Sequence, residues 1–124
     1  MSRPVSNFHT TTLARPVPGA IGTDATVYLA VLGFQGLAPS SRYEYHRELT
    51  RLAAMFPDVG VGEISRPMVD RYLVQRAMIE QQLSVSSRRK IMACLSGFFA
   101  WAASSGLCPH GNPVAGIIRP PLTD

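Results

Sequence analysis

The residues best suited to chemistry are Ser84, Ser86, Ser87, Arg88, Arg89 and Lys90, which would fall within two turns of a helix beginning at Ser84 or Ser86. The start of a helix has N–H groups without a helical partner and carries the positive end of the helix dipole, so it attracts an anion such as phosphate. Serine hydroxyls can hydrogen-bond that phosphate, while arginine or lysine adds charge and can reach the edges of bases. The pattern points to a polyanion of the nucleic-acid kind. The same residues would also serve as an N-cap followed by a solvated face. What favours contact is the missing counter-charge: from Gln81 to Thr123 the charged residues are Arg88, Arg89, Lys90 and Arg119, with no acid among them. A second basic group, Arg42, Arg47 and Arg51 with Tyr43 beside it, could form another wall of the same surface, although Glu44 and Glu48 dilute it.

Other chemistries find little support. Catalysis needs a nucleophile with a base, paired carboxylates or a metal set. His9, His46 and His110 are scattered, and no two have ligand spacing on one helical face. Glu44 and Glu48 have Arg47 and Arg51 three residues further on, which suits surface ion pairs better than acid–base work. Gly60 and Gly62 flank Val61 without the Lys-Ser/Thr of a phosphate-binding loop. Cys94 and Cys108 make neither a disulfide framework nor a zinc set and read as free thiols. Trp101 follows Phe98 and Phe99 in a helical pattern and reads as core or bundle surface rather than a base-stacking platform. No metal, cofactor or catalytic role is expected.

These side chains must be positioned by a small fold. The 124 residues fit one compact domain, and a hydrophobic fraction of 46% suffices to fold it. Charged residues make up 16%, below the roughly 25% that is usual. No apolar run approaches the roughly 18 residues of a membrane span. The segment Met1 to Ala20 has prolines and polar residues where a signal peptide needs an apolar stretch, so a soluble, cytoplasmic chain is expected. Twelve basic residues face eight acids; up to Glu80 the balance is eight against seven, so the excess lies in the last third. Such an acid-free basic segment is the electrostatic footprint of a polyanion partner.

Residues 1–22, with Pro4, Pro16, Pro18, Gly19 and Gly22, read as a flexible arm or linker left out of the fold. A first helix starts at Thr23 or Asp24 and would bury Val27, Val31 and Phe34, weakening at Gly33 and Gly36. The second carries Tyr45, Leu49, Leu52 and Phe56 on one stripe, accepts Pro39 in its first turn and stops at Pro57. Ser41 with Glu44 matches a capping box there, with Ser40 competing for the cap. Ser65 caps a third helix whose stripe is Met68, Val69, Tyr72, Leu73 and Ile79, ending near Gln82. The fourth buries Ile91, Leu95, Phe98, Phe99 and Ala102 and ends at Gly106. No segment alternates with the period of a strand, so the fold class is all-α. Asn112–Pro113 and Pro120–Pro121 mark an irregular tail. The domain runs over 23–118, and 119–124 begins a linker.

The order Gly36-Leu37-Ala38-Pro39-Ser40-Ser41, Tyr45, Leu49, Ile64-Ser65, Leu83-Ser84-Val85-Ser86-Ser87, Leu95, Phe98-Phe99, Trp101-Ala102, Gly106 and Asn112-Pro113 resembles the N-terminal core-binding (SAM-like) domain of tyrosine recombinases and phage integrases. The likeness spans roughly Thr23 to Pro121. Each motif alone is weak; their order and spacing together are specific.

The resemblance implies a compact four-helix orthogonal bundle forming half of a C-shaped clamp on double-stranded DNA, its second and fourth helices against the major groove. By position it carries DNA contacts to Ser41, Arg42, Tyr43 and Arg47 in one helix and to Ser86, Ser87, Arg89 and Lys90 in the other. The family often has threonine where Ser41 and Ser87 stand, a cap residue at Ala38, and basic residues near Ser96 and Gly97. Its catalytic domain, with two arginines, a lysine, histidines and a nucleophilic tyrosine, would begin after Pro120. The chain is thus expected to bind DNA without cutting it, as a fragment of an integrase, with a naturally short orphan as the lesser alternative. Other recombinase protomers are partners in the full-length protein, and the isolated domain is expected to be a monomer off the membrane. A different reading stays open: a helical protein-interaction module that makes no DNA contact.

Overall fold

A computed structural model of the chain describes residues 15–79 and 83–117. Its α-helices are α1 (Gly22–Phe34), α2 (Pro39–Met55), α3 (Arg66–Ile79) and α4 (Val85–Ser104), with a 3-10 turn at Val61–Glu63. No strand occurs among the described residues, and the fold is all-α. The expectations for His9, for a third helix reaching Gln82, and for Arg119 and Pro120–Pro121 lie outside the described residues. The chain divides into two compact units, Met1–Asp58 and Val59–Asp124.

In the first unit α1 packs against α2. The buried face of α1 is not the expected one. Ile21, Ala25, Tyr28 and Leu29 are buried, whereas Val27 is 48% and Phe34 is 94% exposed. Helix α1 is apolar nearly all round, so two stripes with helical spacing exist and the period cannot choose between them. The stripe continuing from Ile21 is taken because the chain before the helix folds back onto it. The Val17 N–H donates to Thr26 Oγ1 (2.8 Å), Thr26 Oγ1 donates to the Gly22 carbonyl (2.7 Å), and the Ala20 N–H donates to the Pro57 carbonyl (3.0 Å). Val17 is buried as well, so the end of the segment expected to be a loose arm is part of this unit.

Helix α1 closes with Gly36 at φ +95°, its N–H donating to the Gly33 carbonyl (3.1 Å) while the Leu37 N–H reaches the Leu32 carbonyl (3.0 Å). This is the Schellman arrangement, which needs a left-handed residue and so favours glycine. Helix α2 begins with Pro39 in its first turn, where the missing N–H is harmless. Ala38 holds the cap position and makes no side-chain bond, so the expected Ser41–Glu44 capping box does not form; Pro39 starts the helix too early for it. The stripe of α2 is close to expectation: Leu49, Leu52, Ala53 and Phe56 are buried, and Tyr45 is half-buried.

In the second unit Ser65 does stand at the start of α3, its Oγ accepting from the Met68 N–H (3.4 Å). Helix α3 buries Val69, Tyr72 and Arg76, while Ile79, expected in the core, is 67% exposed. Helix α4 follows expectation closely, burying Ile91, Leu95, Phe98, Phe99 and Ala102, with Val85, Met92 and Cys94 in addition. Gly106 at φ +80° ends it in a second Schellman arrangement: its N–H meets the Ala103 carbonyl (3.1 Å) and the Leu107 N–H meets the Ala102 carbonyl (2.8 Å). The following segment is irregular yet packed. Cys108 and Val114 are buried, the Cys108 thiol lies 3.7 Å from the Val61 carbonyl, and Asn112 Oδ1 accepts from the Val114 N–H (2.9 Å). Cys94 and Cys108 are both free thiols. No helix among the described residues is long and apolar enough to cross a membrane.

Candidate nucleic-acid interface

The candidate surface on α4 is built by its cap. Ser84 adopts extended backbone, its Oγ accepts from the Ser87 N–H (3.0 Å), and the same hydroxyl donates to Ser87 Oγ (3.0 Å). One of the helix's open N–H groups is thereby satisfied by the protein, and the Val85 and Ser86 N–H groups remain ahead of the helical ladder. Ser84 is thus the structural serine; Ser86 is exposed as Ser84 is but makes no cap bond.

Helical spacing then sorts the charges. Lys90 lies one turn beyond Ser86 and both are exposed; Arg89 and Ser87 flank them and are half-buried. Ser86, Arg89 and Lys90 lie off the stripe made by Ile91, Leu95, Phe98 and Ala102, and Ser87, four residues before Ile91, borders it. Arg88, three residues before Ile91, is exposed. It is in line with that stripe and, with Arg76, borders an apolar groove of about 210 Å³ walled by Leu73, Ala77, Ile91 and Met92. The resemblance names Ser86, Ser87, Arg89 and Lys90 as contacts and does not name Arg88, which borders the buried stripe as Ser87 does. No acidic residue occurs between Leu83 and Ile117, so nothing on this stretch of chain offsets the charge.

On α2 the three arginines have separate fates. Arg51 pairs with Glu48 (3.6 Å), whose carboxylate is almost wholly buried, so this ion pair is not the surface pair expected. Arg42 is half-buried, and a β-carbon on Gly33 of α1 would overlap its guanidinium. Arg47 is exposed and lies over the ring of Tyr43 at 5.9 Å, a cation–π contact that orders both side chains. Tyr43 is itself well exposed, and Ser41 is half-buried. Arg47 with Tyr43 is therefore the part of this group that most readily meets a ligand. The α2 group belongs to the first unit and the α4 group to the second.

Trp101 stacks on Phe98 at 6.3 Å with 22° between the rings and is half-buried, which suits the packing role expected of it. Sequence reasoning missed Arg76, a charged residue only 5% exposed. Its signal was available: Val69, Tyr72 and Arg76 follow one another at three and four residues. No group of three or more potential metal ligands occurs among the described residues.

A family model described as phage integrase, N-terminal SAM-like domain, matches residues 28–106. No curated protein and no solved structure matches the chain.

Proposed function

Because the chain belongs to the phage integrase N-terminal SAM-like domain family, we propose that it is a DNA-binding module of a site-specific tyrosine recombinase, clamping duplex DNA with α2 and α4. In this reading Ser86, Ser87, Arg89 and Lys90 meet phosphates and base edges from one helix, and Ser41, Arg42, Tyr43 and Arg47 do so from the other. Strand cutting belongs to a catalytic domain of the parent protein, and other protomers of that protein are its partners on DNA.

The observation that carries the proposal is the start of α4, where Ser86 and Lys90 are exposed one turn apart on a stretch of sequence that holds no acid. Phosphate contacts provide affinity and register, and hydroxyl and guanidinium groups add weak base readout. Because each phosphate neutralised releases counterions, affinity must fall with salt. Fluorescence anisotropy of a labelled duplex at low and moderate salt tests this against the Arg89→Ala/Lys90→Ala variant. Binding should weaken in the variant, and its salt slope should shrink by roughly one to two units.

A second reading has its own observation. Val74 and Met78 lie one turn apart on α3 and are well exposed, as an apolar face awaiting a protein partner would be. An interaction module that makes no DNA contact would bind no duplex even at low salt, and the Arg89→Ala/Lys90→Ala change would be silent.

A further inference from the structure

Gly33 lies in the last turn of α1, where glycine is a poor helix former and no turn requires its freedom. What its missing side chain provides is room. A β-carbon built there would overlap the tip of the Arg42 guanidinium and would stand 3.1 Å from Arg42 Cζ and 3.4 Å from Cδ. Arg42 Nε is shut off from solvent with no hydrogen-bond partner, and among the described residues Arg42 has no ion pair. A shielded guanidinium N–H without an acceptor is an unfavourable arrangement. The attraction on hand is the negative end of the α1 dipole, weakened because the Val31, Leu32 and Gly33 carbonyls of the last turn already accept the Gln35, Leu37 and Gly36 N–H groups. A phosphate offers the same guanidinium charge-assisted hydrogen bonds in place of that weak attraction.

We infer that Arg42 is parked on Gly33 in the free chain and leaves that seat to bind a phosphate when DNA arrives, so that Gly33 sets how strongly the parked state competes. The inference rests on the DNA-binding reading and adds an internal competitor to it. Arg42 belongs to the surface that reading names; Gly33 does not.

Gly33→Ala tests it in the 124-residue chain. The atom that alanine would meet is the free end of a flexible side chain, so the helix can accept the substitution by displacing Arg42. With Arg42 displaced beforehand, duplex binding should tighten by roughly two- to fivefold, the attraction of a helix C-terminus for a cation expressed as a shift in competent population. The salt slope should not change, because the bound state is the same. Arg42→Ala should weaken binding and lower the slope by about 0.9. The double variant should match Arg42→Ala alone. Unchanged or weaker binding by Gly33→Ala, or a gain that persists without Arg42, overturns the inference.

A second measurement covers the case in which circular dichroism shows Gly33→Ala unfolded. The Gly33 amide resonance of the unsubstituted chain should move on adding duplex toward its position in free Arg42→Ala; a resonance that stays in place overturns the inference. If the unsubstituted chain binds no duplex, the DNA-binding reading itself fails, an outcome distinct from binding without coupling between Gly33 and Arg42.

Discussion

At the scale of single residues, the start of α4 separates a serine that holds the helix from one that could hold a ligand. Ser84 Oγ accepts the Ser87 N–H, so Ser84→Ala should destabilise the chain by about 1 kcal/mol in urea unfolding. Ser86 is exposed and caps nothing, so Ser86→Ala should leave stability within roughly 0.5 kcal/mol while weakening duplex binding. The sequence places both serines before an apolar run but does not say which is the cap, because either can begin the helix; only the extended backbone at Ser84 decides it. Arg42 and Arg51 were illegible for a related reason. Spacing shows that Glu48 is within reach of Arg51, yet it cannot show that Glu48 is buried or that Gly33 leaves space for Arg42.

At the scale of elements, legibility follows how one-sided each helix is. Helix α4 has a polar start and a single wide apolar stripe, and its core residues and its terminating glycine could be read directly. Helix α1 is apolar on most of its surface, so its period fits two faces, and contacts from Val17 and Ile21 select between them. Substitution can check that correction. Phe98→Ala should cost roughly 3–5 kcal/mol, because a fully buried ring leaves a cavity, whereas Phe34→Ala should stay within about 0.5 kcal/mol. Comparable losses at both positions in thermal unfolding would restore the Val27–Phe34 stripe as the core face. The helix ends make another contrast. Gly106 needs a left-handed backbone, so Gly106→Ala should destabilise by roughly 1–2 kcal/mol even though a β-carbon there would meet nothing.

At the scale of the whole molecule, charge is unevenly shared. Residues 1–58 hold five basic and four acidic residues, and residues 59–124 hold seven and four. Each unit nevertheless supplies two cations to the proposed interface: Arg42 and Arg47 from the first, Arg89 and Lys90 from the second. If all four neutralise phosphates, the logarithm of affinity should fall against that of salt with a slope near −3.6, so a fourfold rise in salt weakens binding on the order of a hundredfold. A clamp further requires both units to touch the same duplex. Arg47→Ala should then lower the slope by about 0.9, Arg89→Ala/Lys90→Ala by about twice that, and the triple variant by their sum. Anisotropy titrations across a salt series measure all three. A slope that responds to the α4 changes but not to Arg47→Ala would restrict DNA contact to the second unit and leave α2 to pack against α1. Loss of binding in Arg47→Ala with its slope unchanged would instead mean that Arg47 reads a base and neutralises no phosphate, a different division of labour between the two helices.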